Sequence, residues 1–137
     1  MAGEPIDLIH LGGEGNSVAL RIRGTYPGSD DLLDGELRID TAFVTGRLQM
    51  WLAKDTLDAW RDALDVLDAG EDVVWDTGTR GPMVSLGHEE FGRVAITVRD
   101  PDASGVGVTV PVPLDDAWFD DAYDRLDRVW RAWFGSA

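Results

Sequence analysis

Apolar and polar residues alternate over short stretches along most of the chain, and this alternation predicts β-strands. Val18, Leu20 and Ile22 share one parity within residues 16–23, which is the period of a strand with one covered face. Equivalent stretches bounded by Gly, Pro, Asp or Ser follow throughout the sequence. The pattern predicts strands at 5–11, 16–23, in two pieces within 35–52, and at 72–76, 82–87, 91–99 and 106–112.

The two pieces within residues 35–52 are distinguished by a change of parity. Leu37, Ile39 and Phe43 alternate in one parity, and the later apolar residues from Leu48 to Leu52 alternate in the other. A strand of period two cannot change parity without a bulge or a turn. We therefore expect the break at residues 44–47.

A helical period replaces the alternation at residues 55–69. The apolar stripe comprises Leu57, Trp60, Leu64 and Leu67. An aspartate lies two residues before each of these, about 200° around the helix, so an acidic stripe runs along the opposite side. Asp55 is the predicted N-cap, and Gly70 lies just past the predicted end.

A second helix is predicted at residues 116–134. Its apolar stripe comprises Trp118, Ala122, Leu126, Val129 and Trp133. Either Asp115 or Asp116 is positioned to cap its start. Three predicted ion pairs each join an aspartate to the arginine four residues later: Asp121–Arg125, Asp124–Arg128 and Asp127–Arg131.

Together these elements predict an α+β fold of one domain, residues 1–137. Clean alternation is typical of an antiparallel sheet with one covered face. We expect a meandering antiparallel sheet of about six to eight strands, with the helices at about 55–69 and 116–134 packed on one face. Most of the acid is then expected on the helices.

The charge balance changes which partners the chain can take. The sequence has 26 Asp and Glu against 12 Lys and Arg, a formal net charge of −14. Such a charge argues against nucleic acid and anionic membranes as partners and favours a basic protein surface. The absence of Cys, of a secretory signal pattern and of a long apolar run predicts a cytoplasmic location without a membrane.

Candidate chemistry is sparse. His10 and His88 have no partners at metal-ligand spacing, and the acids Asp30, Asp31, Asp34 and Glu36 do not follow the calcium-loop pattern. The glycine-rich segment 12–15 precedes a strand, whereas a phosphate cradle needs a helix. We therefore predict no catalytic residue, metal or cofactor, and a non-enzymatic protein.

Two kinds of binding site remain open, besides a homodimer formed through an edge strand or an apolar patch. The first is a protein-binding surface for a basic partner, for which the candidates are Asp58, Asp62, Asp65, Asp68 and the off-parity Trp51. The alternative is a site for a small anionic ligand on the open face of the sheet, since guanidinium groups bind carboxylate and phosphate. Its candidates are Arg21, Arg23, Arg38, Arg93 and Arg99.

The central segment also carries a family resemblance. It joins FVTGRL and MWL at residues 43–52 to a helix of pattern L-x-x-W-x-x-x-L-x-x-L-x-x-G and then to Val74-Trp75. With the opening PIDLIHLGGEGNSVALR, it resembles a family of uncharacterised small acidic proteins from high-GC Gram-positive bacteria. The strand–helix core is also similar to WapI-type immunity proteins of toxin systems. That similarity implies an immunity-like inhibitor that binds and blocks a toxin, but neither resemblance identifies functional residues.

Overall fold

The computed structural model describes residues 4–13, 15–29, 31–75, 77, 81–101 and 104–135. Glu14 of the glycine-rich segment 12–15, Asp30 of the predicted acidic cluster and Asp76 at a predicted strand end lie outside these residues. Within these residues, eight strands and two α-helices follow one another: β1 Ile6–Gly12, β2 Asn16–Thr25, β3 Leu33–Thr41, β4 Thr45–Leu52, α1 Lys54–Asp68, β5 Val73–Trp75, β6 Met83–Glu89, β7 Arg93–Arg99, β8 Gly107–Pro113 and α2 Asp116–Trp133.

The strands form two antiparallel meanders. The first sheet has the order β1-β2-β3-β4 and the second the order β5-β6-β7-β8. The α+β class, the antiparallel meander and the positions of both helices are confirmed. The structure divides the eight strands into two sheets, and α1 lies between β4 and β5 in the chain. Among the described residues, no helix is long and apolar enough to span a membrane.

The inward-facing residues of both sheets form one core with the helices. In β2, Val18, Leu20 and Ile22 are buried, and the alternate positions of β3, β6, β7 and β8 are buried in the same way. α2 packs against β1 and β2, α1 packs against β5 and α2, and β8 crosses near β1 and β2. The two sheets and two helices therefore cover each other's apolar faces.

The turn between β3 and β4 lies earlier than the parity argument predicts. The strands pair without interruption from Asp40–Thr45 to Leu33–Leu52, so residues 45–47 belong to β4. The turn occupies residues 42–44, where the Thr41 hydroxyl accepts hydrogen bonds from the backbone of Phe43 and Val44. Phe43 is 96% exposed at this tip, so its assignment to the apolar parity of β3 is wrong.

The predicted two-sided character of α1 is confirmed. Leu57, Trp60, Leu64 and Leu67 are at most 1% exposed. The helix begins two residues earlier than a cap at Asp55 would require: Ala53 is the N-cap, and its N–H donates to the Thr56 hydroxyl at 3.2 Å. Asp55 lies in the first turn, where a carboxylate complements the helix dipole.

The end of α1 has a specific cap. The N–H of Gly70 donates to the carbonyl of Leu67, and the N–H of Glu71 donates to the carbonyl of Val66. This pair of bonds defines a Schellman motif, which needs a left-handed residue at the position of Gly70. Gly70 has a φ of 92°, which explains the glycine predicted past the helix end.

The second helix begins at the predicted cap. The Asp115 carboxylate accepts a hydrogen bond from the backbone N–H of Trp118 at 2.9 Å. The pairs Asp121–Arg125 and Asp124–Arg128 form at 2.6 and 3.1 Å. The predicted Asp127–Arg131 ion pair is wrong. Arg131 instead donates to the backbone carbonyl of Asp127, whose carboxylate pairs with Arg61 of α1.

Candidate functional site

The predicted acidic residues of α1 form a continuous surface, which we call the acidic helix surface: Asp58, Asp62, Asp65 and Asp68. All four are exposed, because the opposite side of the helix is buried in the core. Successive spacings of four, three and three residues place them along one side of the helix. The helix therefore presents its carboxylates from a rigid backbone.

The boundary between α1 and α2 holds one of these four carboxylates in place. The Tyr123 hydroxyl of α2 donates to the Asp65 carboxylate at 2.5 Å. Partial burial and this hydrogen bond raise the pKa of Tyr123, since both disfavour the phenolate. Beside them, Arg61 pairs with Asp127 at 3.1 Å. In the part of the chain that the structure describes, Asp58, Asp62 and Asp68 form no ion pair.

The helices nevertheless carry less of the total acid than predicted. α1 and α2 contain five aspartates each, while the whole chain has 26 Asp and Glu. The remaining carboxylates lie outside the two helices in the sequence. The expectation that most of the acidic residues lie on the helices is therefore wrong, although Asp58, Asp62 and Asp68, which form no ion pair in the described part of the chain, still share one helix.

Trp51 lies apart from the acidic helix surface. It is on the outer face of β4, 47% exposed, and it packs edge-to-face against Tyr26 with ring centroids 5.5 Å apart. Among the described residues, no hydrogen bond or ring contact joins it to α1. The structure therefore confirms that this aromatic is exposed but does not bring it together with the four aspartates.

The five predicted arginines do not share one face. Arg21, Arg23 and Arg38 lie on the outer face of the first sheet, whereas Arg93 and Arg99 lie at opposite ends of β7 in the second. The prediction placed all of them on one open face. That placement is wrong because the chain forms two sheets, which present separate outer faces.

The three arginines of the first sheet are paired with carboxylates of the same sheet. Arg21 contacts Asp7 at 3.1 Å, and Arg23 contacts Asp34 at 3.0 Å. Glu36 lies between Arg23 and Arg38, at 3.5 and 3.1 Å. Such exposed pairs contribute little to stability, but they occupy part of each guanidinium.

Arg47 is a candidate residue that the sequence analysis missed. It lies on β4 beside this network, at 4.0 Å from Glu36, and is the most exposed arginine of the network at 67%. With Arg21, Arg38 and His10 it lines a depression of about 560 Å³ on the outer face of the first sheet. Arg47 shares its parity along β4 with the exposed Trp51 and differs in parity from Leu48. This pattern could have indicated that Arg47 faces outward.

The histidines serve no shared site in the described part of the chain. His88 Nε2 lies 3.0 Å from the carbonyl of Leu67, and the backbone N–H of His88 donates to Asp72. His88 therefore ties β6 to the end of α1. Among the described residues, no three His, Asp or Glu side chains lie close enough together to hold a metal ion.

Comparison with known proteins identifies the family. No curated protein and no solved structure matches the chain. A family model described as "Family of unknown function (DUF5959)" matches residues 6–134, which include all eight strands and both helices. The chain therefore belongs to this family of unknown function.

Proposed function

We propose that the protein is a non-enzymatic interaction module whose acidic helix surface binds a basic protein partner. The observation that carries this proposal is that Asp58, Asp62 and Asp68 are exposed along one helix and form no ion pair in the described part of the chain. Unpaired carboxylates on a surface remain available to cationic groups of another protein.

The geometry suits recognition of a basic surface. At 1.5 Å per residue, the carboxylates from residue 58 to residue 68 span about 15 Å along the helix axis. The buried stripe on the opposite side holds the helix rigidly, so binding requires little reorganisation. A net charge of −14 adds long-range attraction for a cationic partner, and salt screens that attraction.

A cationic toxin domain is the specific partner that we propose. The sequence similarity to WapI-type immunity proteins supports this class, and a rigid acidic surface is suited to rapid capture of a cationic protein. The protein would then block the toxin by covering its basic surface, without carrying out chemistry itself.

The test compares two charge-matched triple variants. D58N/D62N/D68N removes three carboxylates from the acidic helix surface, and D31N/E89Q/E90Q removes three exposed carboxylates elsewhere. A partner is first captured from the source organism with the wild-type protein, and its affinity for all three proteins is then measured by biolayer interferometry. We expect the helix variant to weaken binding by about tenfold or more and the control variant to retain nearly full affinity.

Two results would contradict the proposal. Equal loss of affinity in both triple variants would show a response to net charge alone. Affinity that does not change between low and high salt would remove the electrostatic basis of the interaction.

The depression of about 560 Å³ supports a second candidate, a site for a small anionic ligand. Arg47 is its best-placed cation, because its only ion pair in the described residues is the 4.0 Å contact with Glu36. We expect R47Q to weaken binding of orthophosphate or citrate in isothermal titration calorimetry, while R93Q on the other sheet leaves it unchanged. If neither anion produced a heat of binding when titrated into the wild-type protein, this candidate would be rejected.

A further inference from the structure

The two sheets have four edge strands, and three of them are protected against pairing with another chain. The carbonyl of His10 in β1 accepts a hydrogen bond from Trp118 Nε1 at 2.8 Å, and the carbonyl of Asp7 accepts one from Arg125 at 3.1 Å. β1 also has an irregular register between Asp7 and Ile9. α2 therefore covers this edge and satisfies part of its backbone.

The edges of the second sheet are protected in other ways. In the described part of the chain β5 spans three residues, Val73–Trp75, which is too short to template a strand. β8 contains Pro111 and Pro113, which have no N–H to donate, and it packs near β1 and β2.

β4 has none of these protections. It is eight residues long, lacks proline, and pairs with β3 in an unbroken register. Among the described residues, no side chain forms a hydrogen bond with the backbone of β4, and no other strand pairs with its outer edge. Its unpaired N–H and C=O groups are therefore available to another strand.

The side chains of β4 also differ from the rest of this acidic protein. The strand reads TGRLQMWL and contains one arginine and no carboxylate. Leu48 is half-buried at the rim of an apolar cleft of about 200 Å³ between the two sheets, which Val106 and Val108 also line. Trp51 is exposed near one end of the strand, and Phe43 is exposed just before the other.

We propose that two copies of the chain associate through β4, antiparallel, with Leu48 on the two-fold axis. This edge brings together two chains of net charge −14 without placing any β4 carboxylate opposite another. Partners in an antiparallel pair have residue numbers with a constant sum, so Arg47 lies opposite Gln49 of the second copy and Thr45 lies opposite Trp51. Leu48 lies opposite Leu48 of the second copy, beside the apolar cleft.

This register follows from the side chains. A two-fold axis at Arg47 would place two arginines directly opposite each other, which is destabilising. A register with an odd residue sum would place the inward-facing Leu48 opposite an outward-facing side chain, whereas directly opposite residues of an antiparallel pair lie on the same face. With Leu48 on the axis, the exposed Phe43 of one copy lies beside the end of the second copy's β4 that carries Trp51.

The absence of cysteine makes a cross-linking test of this register direct. R47C and Q49C are made separately, oxidised alone and oxidised as an equimolar mixture. Directly opposite residues have Cβ atoms about 5 Å apart, within reach of a disulfide after small adjustments. We expect the mixed disulfide to predominate over both self-disulfides, whereas a statistical mixture or an excess of either self-disulfide overturns the proposal.

A second test measures the association itself by sedimentation velocity. Q49E places a carboxylate opposite Arg47 twice in the dimer and Q49K places an ammonium there, so we expect about threefold to tenfold tighter and weaker association, respectively. Association should strengthen as salt screens the repulsion between two acidic chains, which is the reverse of the salt effect expected for a basic partner. Circular dichroism checks that both variants remain folded.

A monomeric wild-type protein at every concentration and salt level would overturn the proposal. So would equal dissociation constants for Q49E and Q49K. Neither result bears on the acidic helix surface, because β4 and α1 carry separate sets of residues.

Discussion

Leu64→Ala is expected to lower the free energy of unfolding by about 3–4 kcal/mol. Leu64 is 0% exposed and lies in the middle of the buried stripe of α1, with Trp60 one turn before it and Leu67 one turn after it. Truncation removes its contacts and leaves a cavity that the surrounding sheets and helix can close only in part. Urea denaturation monitored by tryptophan fluorescence measures the change.

Asp62→Ala is the matched control on the opposite side of the same helix. Asp62 is exposed and forms no ion pair among the described residues, so we expect a change within about 0.5 kcal/mol. Comparable destabilisation by the two substitutions would contradict the two-sided assignment of α1. The proposed acidic helix surface would then lose its structural basis.

Gly12→Ala is expected to destabilise the protein by about 3 kcal/mol or more, because it combines backbone strain with a clash. Gly12 ends β1 with a φ of 87°, a conformation that glycine adopts freely and alanine does not. An added Cβ would also lie 2.1 Å from the backbone oxygen of Asn16, across the hairpin. Because both atoms belong to the backbone framework, the turn itself must move.

Gly13→Ala in the same turn provides the control. A Cβ added at Gly13 would meet no atom within 4 Å. We therefore expect this substitution to be nearly neutral in thermal and urea denaturation, whereas Gly12→Ala lowers both midpoints. If the two alanines had similar effects, the distinct backbone role assigned to Gly12 would be wrong.

The sequence predicts the secondary structure well where burial imposes a simple period. Two such patterns lie in the core as predicted: the alternating residues Val94, Ile96 and Val98, and the helical stripe from Leu57 to Leu67. Each pattern is buried because its period matches one face of its element. The exposure of the α1 aspartates could be predicted for the same reason. Residues on the side of a helix opposite its buried stripe face the solvent.

The predictions that failed depended on turns and on pairing between elements. Phe43 continues an apolar parity in sequence but lies in a turn, since the register between β3 and β4 decides where the hairpin closes. Arg47 was not among the predicted candidates, because the parity argument placed the break between the two strands at residues 44–47. Asp127 pairs with Arg61, which is 66 residues away, and no local spacing could indicate that contact.

Residue type and period were enough to specify the local elements, the two-sided character of α1 and the acidic balance of the chain. The division of the strands into two sheets, the separation of Arg93 and Arg99 from the other candidate arginines, and the position of β4 at a sheet edge depend on tertiary packing. Those features depend on which strands pair and which helix covers which edge. Such contacts join residues far apart in sequence, so their partners are set by the packing of the whole core.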